Sequence, residues 1–199
     1  MFADKPFSQA CENNKGPILA VLKTVFANVS EVLELASGTG QHACYFSQHL
    51  PHLCWQPSDL KENLSGIRAW TNESTQDNIL PPIELDVCSN PWPLQIPKAI
   101  FTANCLHIIS WQSVEILFTY LGANAPQGNY LCIYGPFNYA GNYSSASNAQ
   151  FDQWLKQRDP QSSIRDFEAV NALAEAAGYC LQEDYKMPAN NQLLVWKMS

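Results

Sequence analysis

The chain is 199 residues long, 46% hydrophobic and 12% aromatic, which is enough for a substantial core and excludes a disordered or fibrous chain. Eleven Lys and Arg stand against 18 Asp and Glu, a net charge of -7, so nucleic acid is not an expected partner: phosphate binding runs on clustered cations. No apolar run approaches the roughly 18 residues that span a bilayer, and Met1 to Pro6 lacks a basic and then apolar leader. We therefore expect a cytoplasmic protein with no membrane contact, forming a single domain over residues 1–199.

The N-terminal segment, residues 1–29, carries a helix expected to start at Pro17, a good first helical position, with Ile18, Leu22, Val25, Phe26 and Val29 on one face. Glu31 to Ala36 reads as the first strand, ended by Ser37-Gly38-Thr39-Gly40, and Gln41 to Leu50 as a helix closed by Pro51. Cys54 to Asp59 is a second strand, followed by a helix through Leu60, Leu64, Ile67 and Trp70. After Pro81-Pro82 comes a third strand, Ile83 to Val87, and Ala99 to Ala103 is a fourth. Ser110 caps a helix whose apolar face is Trp111, Val114, Leu117, Phe118 and Leu121. Tyr130 to Tyr134 is a fully apolar fifth strand.

Residues 135–162 read as one long connection, against ~4–6 residues for an ordinary join. Ser163-Ile-Arg-Asp166 resembles a capping box opening a helix that buries Phe167, Val170, Leu173 and Ala174 and stops at Gly178. Leu181 to Met187 and Gln192 to Lys197, joined by Ala189-Asn190-Asn191, form an antiparallel hairpin. The fold class is therefore α/β: a Rossmann-like, seven-stranded, mostly parallel sheet with helices on both faces and a C-terminal antiparallel hairpin.

Ligands of such sheets bind beyond the carboxyl ends of the strands, which directs attention to Glu34 to Gly40, Asp59, Asp86, Asn104 to His107 and Gly135 onward. Gly38-Thr-Gly40-Gln-His-Ala43 satisfies a dinucleotide fingerprint, with Asp59 about 20 residues on, where a ribose carboxylate is expected. Glu34 bears against a dinucleotide, because a pyrophosphate would be repelled there, whereas a sulfonium with an amino-acid tail would not. The seven cysteines never space as C-x-x-C and read as reduced, buried hydrophobes. His42, His49 and His52 crowd one segment without completing a zinc spacing, so no metal site is expected.

Glu34-Leu-Ala-Ser-Gly38-Thr39-Gly40 is similar to motif I of class I S-adenosylmethionine-dependent methyltransferases. Further blocks, among them Glu12-Asn-Asn-Lys-Gly-Pro17-Ile, Trp55-Gln-Pro-Ser-Asp59, Tyr134-Gly-Pro-Phe, Ser147-Asn148-Ala-Gln-Phe151-Asp152, Arg158-Asp159-Pro160 and Met187-Pro-Ala-Asn-Asn191, resemble a methyltransferase-like family formerly known only as a domain of unknown function. The resemblance implies S-adenosyl-L-methionine as cofactor. Its expected contacts are Glu34, Ala36, Gly38, Thr39 and Gly40, the ribose carboxylate Asp59, the adenine-flanking Asp86 and Val87, Asn104 after the fourth strand, and Asn14 and Lys15 before the first helix. Ala36 departs from the family's more usual glycine and fits if its backbone angle is ordinary.

The implied reaction is methyl transfer to oxygen or nitrogen of a small-molecule acceptor, with residues 135–162 as lid or acceptor loop. His107 is the candidate base, with Tyr134 and Tyr139 as weaker candidates; Asp152, Arg158, Asp159 and Arg165 read as an ion-paired loop anchor. Two alternatives stay open: a non-catalytic subunit that binds S-adenosylmethionine, and an NAD(P)-binding oxidoreductase. The second lacks a Tyr followed four residues later by Lys.

Overall fold

The computed structural model describes residues 5–199; the start of the N-terminal segment, residues 1–4, lies outside the described residues. Strands β1 (Glu31–Leu35), β2 (Cys54–Asp59), β3 (Ile83–Glu84), β4 (Ala99–Ala103), β5 (Tyr130–Gly135), β8 (Tyr179–Met187) and β9 (Asn191–Met198) form one sheet in the order β3-β2-β1-β4-β5-β9-β8. A separate two-stranded ribbon joins β6 (Phe137–Asn138) to β7 (Arg165–Asp166). The chain divides into two compact units, Met1–Thr102 and Ala103–Ser199.

In the first unit β2 and β4 flank β1 in parallel, and β3 pairs parallel with β2. β1 alternates no polar face: Val32, Leu33, Glu34 and Leu35 are all buried, as a central parallel strand requires. Helix α1 (Gln9–Val25) begins eight residues earlier than Pro17, at the cap Ser8, whose side chain accepts from the Cys11 amide. Pro17 lies inside the helix. Proline's φ is helical, and the carbonyl its missing N–H would have bonded belongs to exposed Asn13, where water can reach it. Helix α2 (Gln41–His49) follows the glycine turn, and α3 (Leu64–Thr71) follows a short turn at Lys61–Asn63. The third strand is shorter than expected, because Asp86 closes a turn by accepting from the Cys88 amide. Phe46, Trp55 and Phe101 form an aromatic core with centroids 5.4–6.0 Å apart.

In the second unit α4 (Trp111–Asn124) starts at Ser110, which caps the Ser113 amide. β9 pairs antiparallel with both β5 and β8, giving the expected hairpin. The long connection is largely ordered: α5 (Ala146–Arg158) occupies its middle, capped by Ser145 on the Asn148 amide. The capping box expected at Ser163 is absent, since Arg165 and Asp166 run as β7 and α6 (Phe167–Ala176) starts only afterwards. Among the described residues, no helix is long and apolar enough to cross a membrane.

Ala36 corrects an expectation. Its φ of 54 is left-handed, where an L side chain pays roughly 1–2 kcal/mol. After the unfolded-state entropy glycine adds, Ala36→Gly should stabilise the chain by about 1 kcal/mol and raise its melting temperature by a few degrees. Thermal unfolding of the two proteins side by side checks this, and an unchanged or lower midpoint refutes it.

Candidate functional site

The end of β1 and the turn beyond it are built by buried polar groups. Ser58 Oγ donates to the Glu34 carbonyl at 2.7 Å, the Ser37 amide donates to the Ser58 carbonyl at 3.0 Å, and Thr102 Oγ1 donates to the Leu35 carbonyl at 2.9 Å. Carbonyls that the strand leaves unpaired as it turns are thereby satisfied. Gly38 and Gly40 take φ of 59 and 88. A Cβ on Gly40 would come 3.0 Å from Ile67 Cα, so the turn must pass α3 without a side chain, whereas the space over exposed Gly38 is open within 4 Å.

Asp59 ties this turn to β2. Its Oδ2 accepts from the Gly38 amide at 2.7 Å, and its Oδ1 accepts from the Leu60 amide and from Asn63 Nδ2. Thr39 donates to Gln41, whose amide group in turn engages Ser8 and Glu12 of the α1 start. Glu34 lies deeper than expected, only 2% exposed, and accepts from Trp55 Nε1 at 2.9 Å. Burial raises it to about 7, the Asp59 charge adding and the indole offsetting. The Glu34 carboxyl is therefore held within the sheet, against the Trp55 indole of β2. Trp55 is the partner that sequence reasoning missed; an acidic residue in an apolar strand was the signal that some buried donor must exist.

Asn14 and Lys15 lie inside α1, not before the first helix as expected. Asn14 is buried in the packing of α1 on α2, its Oδ1 2.7 Å from His42 Nε2, and Lys15 pairs with Glu12 above the Tyr45 ring. His49 and His52 likewise engage backbone carbonyls, of Tyr45 and Phe26. Asp86 is exposed in its turn and Val87 is buried beside it.

In the second unit Asn104, with φ 57, donates its amide to the Tyr134 carbonyl at 2.8 Å. Gly135 lies beside two of these side chains: a Cβ there would sit in ordinary contact, 3.5 Å from His107 Nδ1 and 3.9 Å from Asn104 Oδ1. Asn104 and His107 thus both flank Gly135 at the end of β5. His107 is 4% exposed, and Phe151 of α5 meets its ring edge-on at 5.5 Å. Burial pushes it down to about 4, with the Arg165 charge adding.

Arg165 holds the turn that carries His107. Its Nε donates to the Leu106 carbonyl at 3.0 Å, and Nη2 to the carbonyls of Ile109 and Gln161. The expected ion-paired anchor is therefore different: Asp152 pairs with Lys156 and accepts from Tyr143, while Arg165 spends its donors mainly on backbone. The two candidate tyrosines are both placed by the second unit. Tyr134 is buried in β5, and Tyr139 donates its hydroxyl to Asp184 at 2.6 Å; burial first, and then this bond, raise the Tyr139 pKa.

A family model described as a protein of unknown function (DUF938) matches residues 5–198. The chain belongs to this family. Mitomycin 7-O-methyltransferase MmcR shares its fold with a TM-score of 0.82 at 13% identity, covering 96% of this chain and 54% of that one. Human N-acetylserotonin methyltransferase, solved with S-adenosylmethionine, gives 0.72 at 15% identity, over 96% of this chain and 58% of that one. An O-methyltransferase family 2 protein from Planctomyces limnophilus, solved with apigenin, gives 0.75 at 15% identity, over 94% and 62%. This chain spans little more than half the length of these proteins, and at such identities the likeness is one of fold: that of S-adenosylmethionine-dependent methyltransferases.

Proposed function

We propose that this chain is an S-adenosylmethionine-dependent methyltransferase acting on oxygen or nitrogen of a small molecule. The observation that carries the reading is the glycine turn after β1 clasped by Asp59 at the end of β2, in a fold shared with such enzymes. The residues fit the cofactor: the space over Gly38 is open, Asp59 and Asn63 offer polar groups for ribose hydroxyls, and the Asp86 turn with Val87 offers an edge and an apolar surface for a base. Bound there, S-adenosylmethionine would supply a methyl group on an activated sulfonium. The chain's own task is then orientation and exclusion of water, with His107 accepting a proton from the acceptor. The acceptor class is supported by the rings of Phe151 and Trp154, stacked at 5.7 Å, and by the overall negative charge. The fold relative solved with apigenin gives the same direction.

Calorimetry tests the reading. S-adenosylhomocysteine should bind at one site per chain and NADH should not, and Asp59→Asn should weaken that binding by roughly 1–3 kcal/mol, since a charged acceptor to the ribose is lost. Asp59→Ala should also lower stability by roughly 1–3 kcal/mol, because the Gly38 and Leu60 amides lose their acceptor. Binding of NADH alone would overturn the proposal.

A further inference from the structure

The β6·β7 ribbon pairs Phe137 with Arg165 and Asn138 with Asp166 in parallel register. Paired residues of such a ribbon stand side by side on one face, and successive residues alternate faces. Phe137 and Arg165 are buried, and Arg165 is bound to the 106–109 turn. The other face carries Asn138 and Asp166, and there Oδ1 of each is shielded from solvent without a hydrogen-bond partner. A buried acceptor oxygen with no donor is unfavourable, and two side by side call for an explanation in function.

The ribbon holds these oxygens where they are. One residue further on, Tyr139 stacks on Phe167 at 5.3 Å, and the Tyr139 hydroxyl is fixed on Asp184 of β8. Asp166 occupies the cap position of α6, where an Asp side chain ordinarily accepts from first-turn amides, yet it makes no such bond. The cation next in sequence, Arg165, is engaged elsewhere, on backbone carbonyls. A carboxylate oxygen, Asp166 Oδ1, beside an amide oxygen, Asn138 Oδ1, both lacking donors, suits a positively charged group with several N–H bonds.

We propose that Asn138 and Asp166 bind the ammonium group of a small amine and, resting on the reading above, that this amine is the methyl acceptor. Tyramine is the probe, because it joins an ammonium to a hydroxyl that could be methylated; 4-ethylphenol is the same ring without the charge. By calorimetry the wild-type chain should bind tyramine at least about tenfold more tightly than 4-ethylphenol, and Asp166→Asn should abolish that preference. Asn138→Ala should reduce it. Asn caps a helix as well as Asp, so Asp166→Asn keeps the fold. No tyramine binding, equal binding of the two probes, or a preference retained in Asp166→Asn overturns the site. S-adenosylhomocysteine binding measured on the same samples separates the two proposals: its presence without tyramine binding removes only the amine site, and tyramine binding without it removes only the methyltransferase reading.

Discussion

His107→Ala should lower turnover by about 10²–10⁴-fold while leaving the affinity for S-adenosylhomocysteine unchanged. The imidazole is almost fully buried, set against Gly135, and held by a turn whose carbonyls Arg165 grips on both sides of the ring. From sequence alone the rate would be expected to climb through the ordinary histidine range near 6.5. With His107 pushed down to about 4, its imidazole is already unprotonated at neutral pH. The wild-type rate should therefore be level from about pH 6 to 8 and fall only in more acidic solution. Arg165→Met should move that acid limb upward, since it removes a neighbouring positive charge, and a merely structural loss would leave the limb in place. Initial rates across pH for the three proteins decide it. Wild-type turnover in His107→Ala would remove the residue from the chemistry.

The sheet was legible because its strands carry their own signature. Continuous burial along β1 and β5 demands apolar runs, and the Asn190 turn between β8 and β9 demands a residue tolerant of positive φ. Helix α5 was not legible, since its buried face is Asn148, Asp152 and Leu155: polar groups satisfied by Ser144, Asn190, Tyr143 and Ile164, which an apolar periodicity cannot detect. Pro17 misled for a related reason, as proline marks a helix start only where its missing donor matters. The site divides in the same way. Gly38, Gly40 and Asp59 announce a turn and its clasp, because each residue type has a local geometric use. Arg165 and Trp55 act on residues 59 and 21 positions away, and no local pattern encodes such a partner.

Glu34→Gln should stabilise the chain at pH 8 by about 1–3 kcal/mol and change it little at pH 5. Glu34 is raised from an ordinary 4.5 to about 7, chiefly by burial, so between these values the folded chain holds a proton that the unfolded chain has released. Stability from this group is present below pH 4.5 and lost as pH rises through 7. Glutamine is neutral throughout and can still accept from Trp55 Nε1, so the fold keeps its hydrogen bond and sheds a buried charge. His42 and His107 act in the opposite sense. Both are pushed from 6.5 to about 4 by burial, so the stability they carry is present above pH 6.5 and lost as pH falls toward 4. In the wild type the two slopes oppose each other between pH 4.5 and 6.5. Removing Glu34's contribution should leave the histidine slope exposed: stability of the variant should rise from pH 4.5 to 6.5 and then hold level, where the wild type declines toward pH 8. Denaturant unfolding at pH 5, 6.5 and 8 reads both curves, and an equal gain at pH 5 and 8, or a loss at pH 8, would show that Glu34 is not a buried charge held against its solvation.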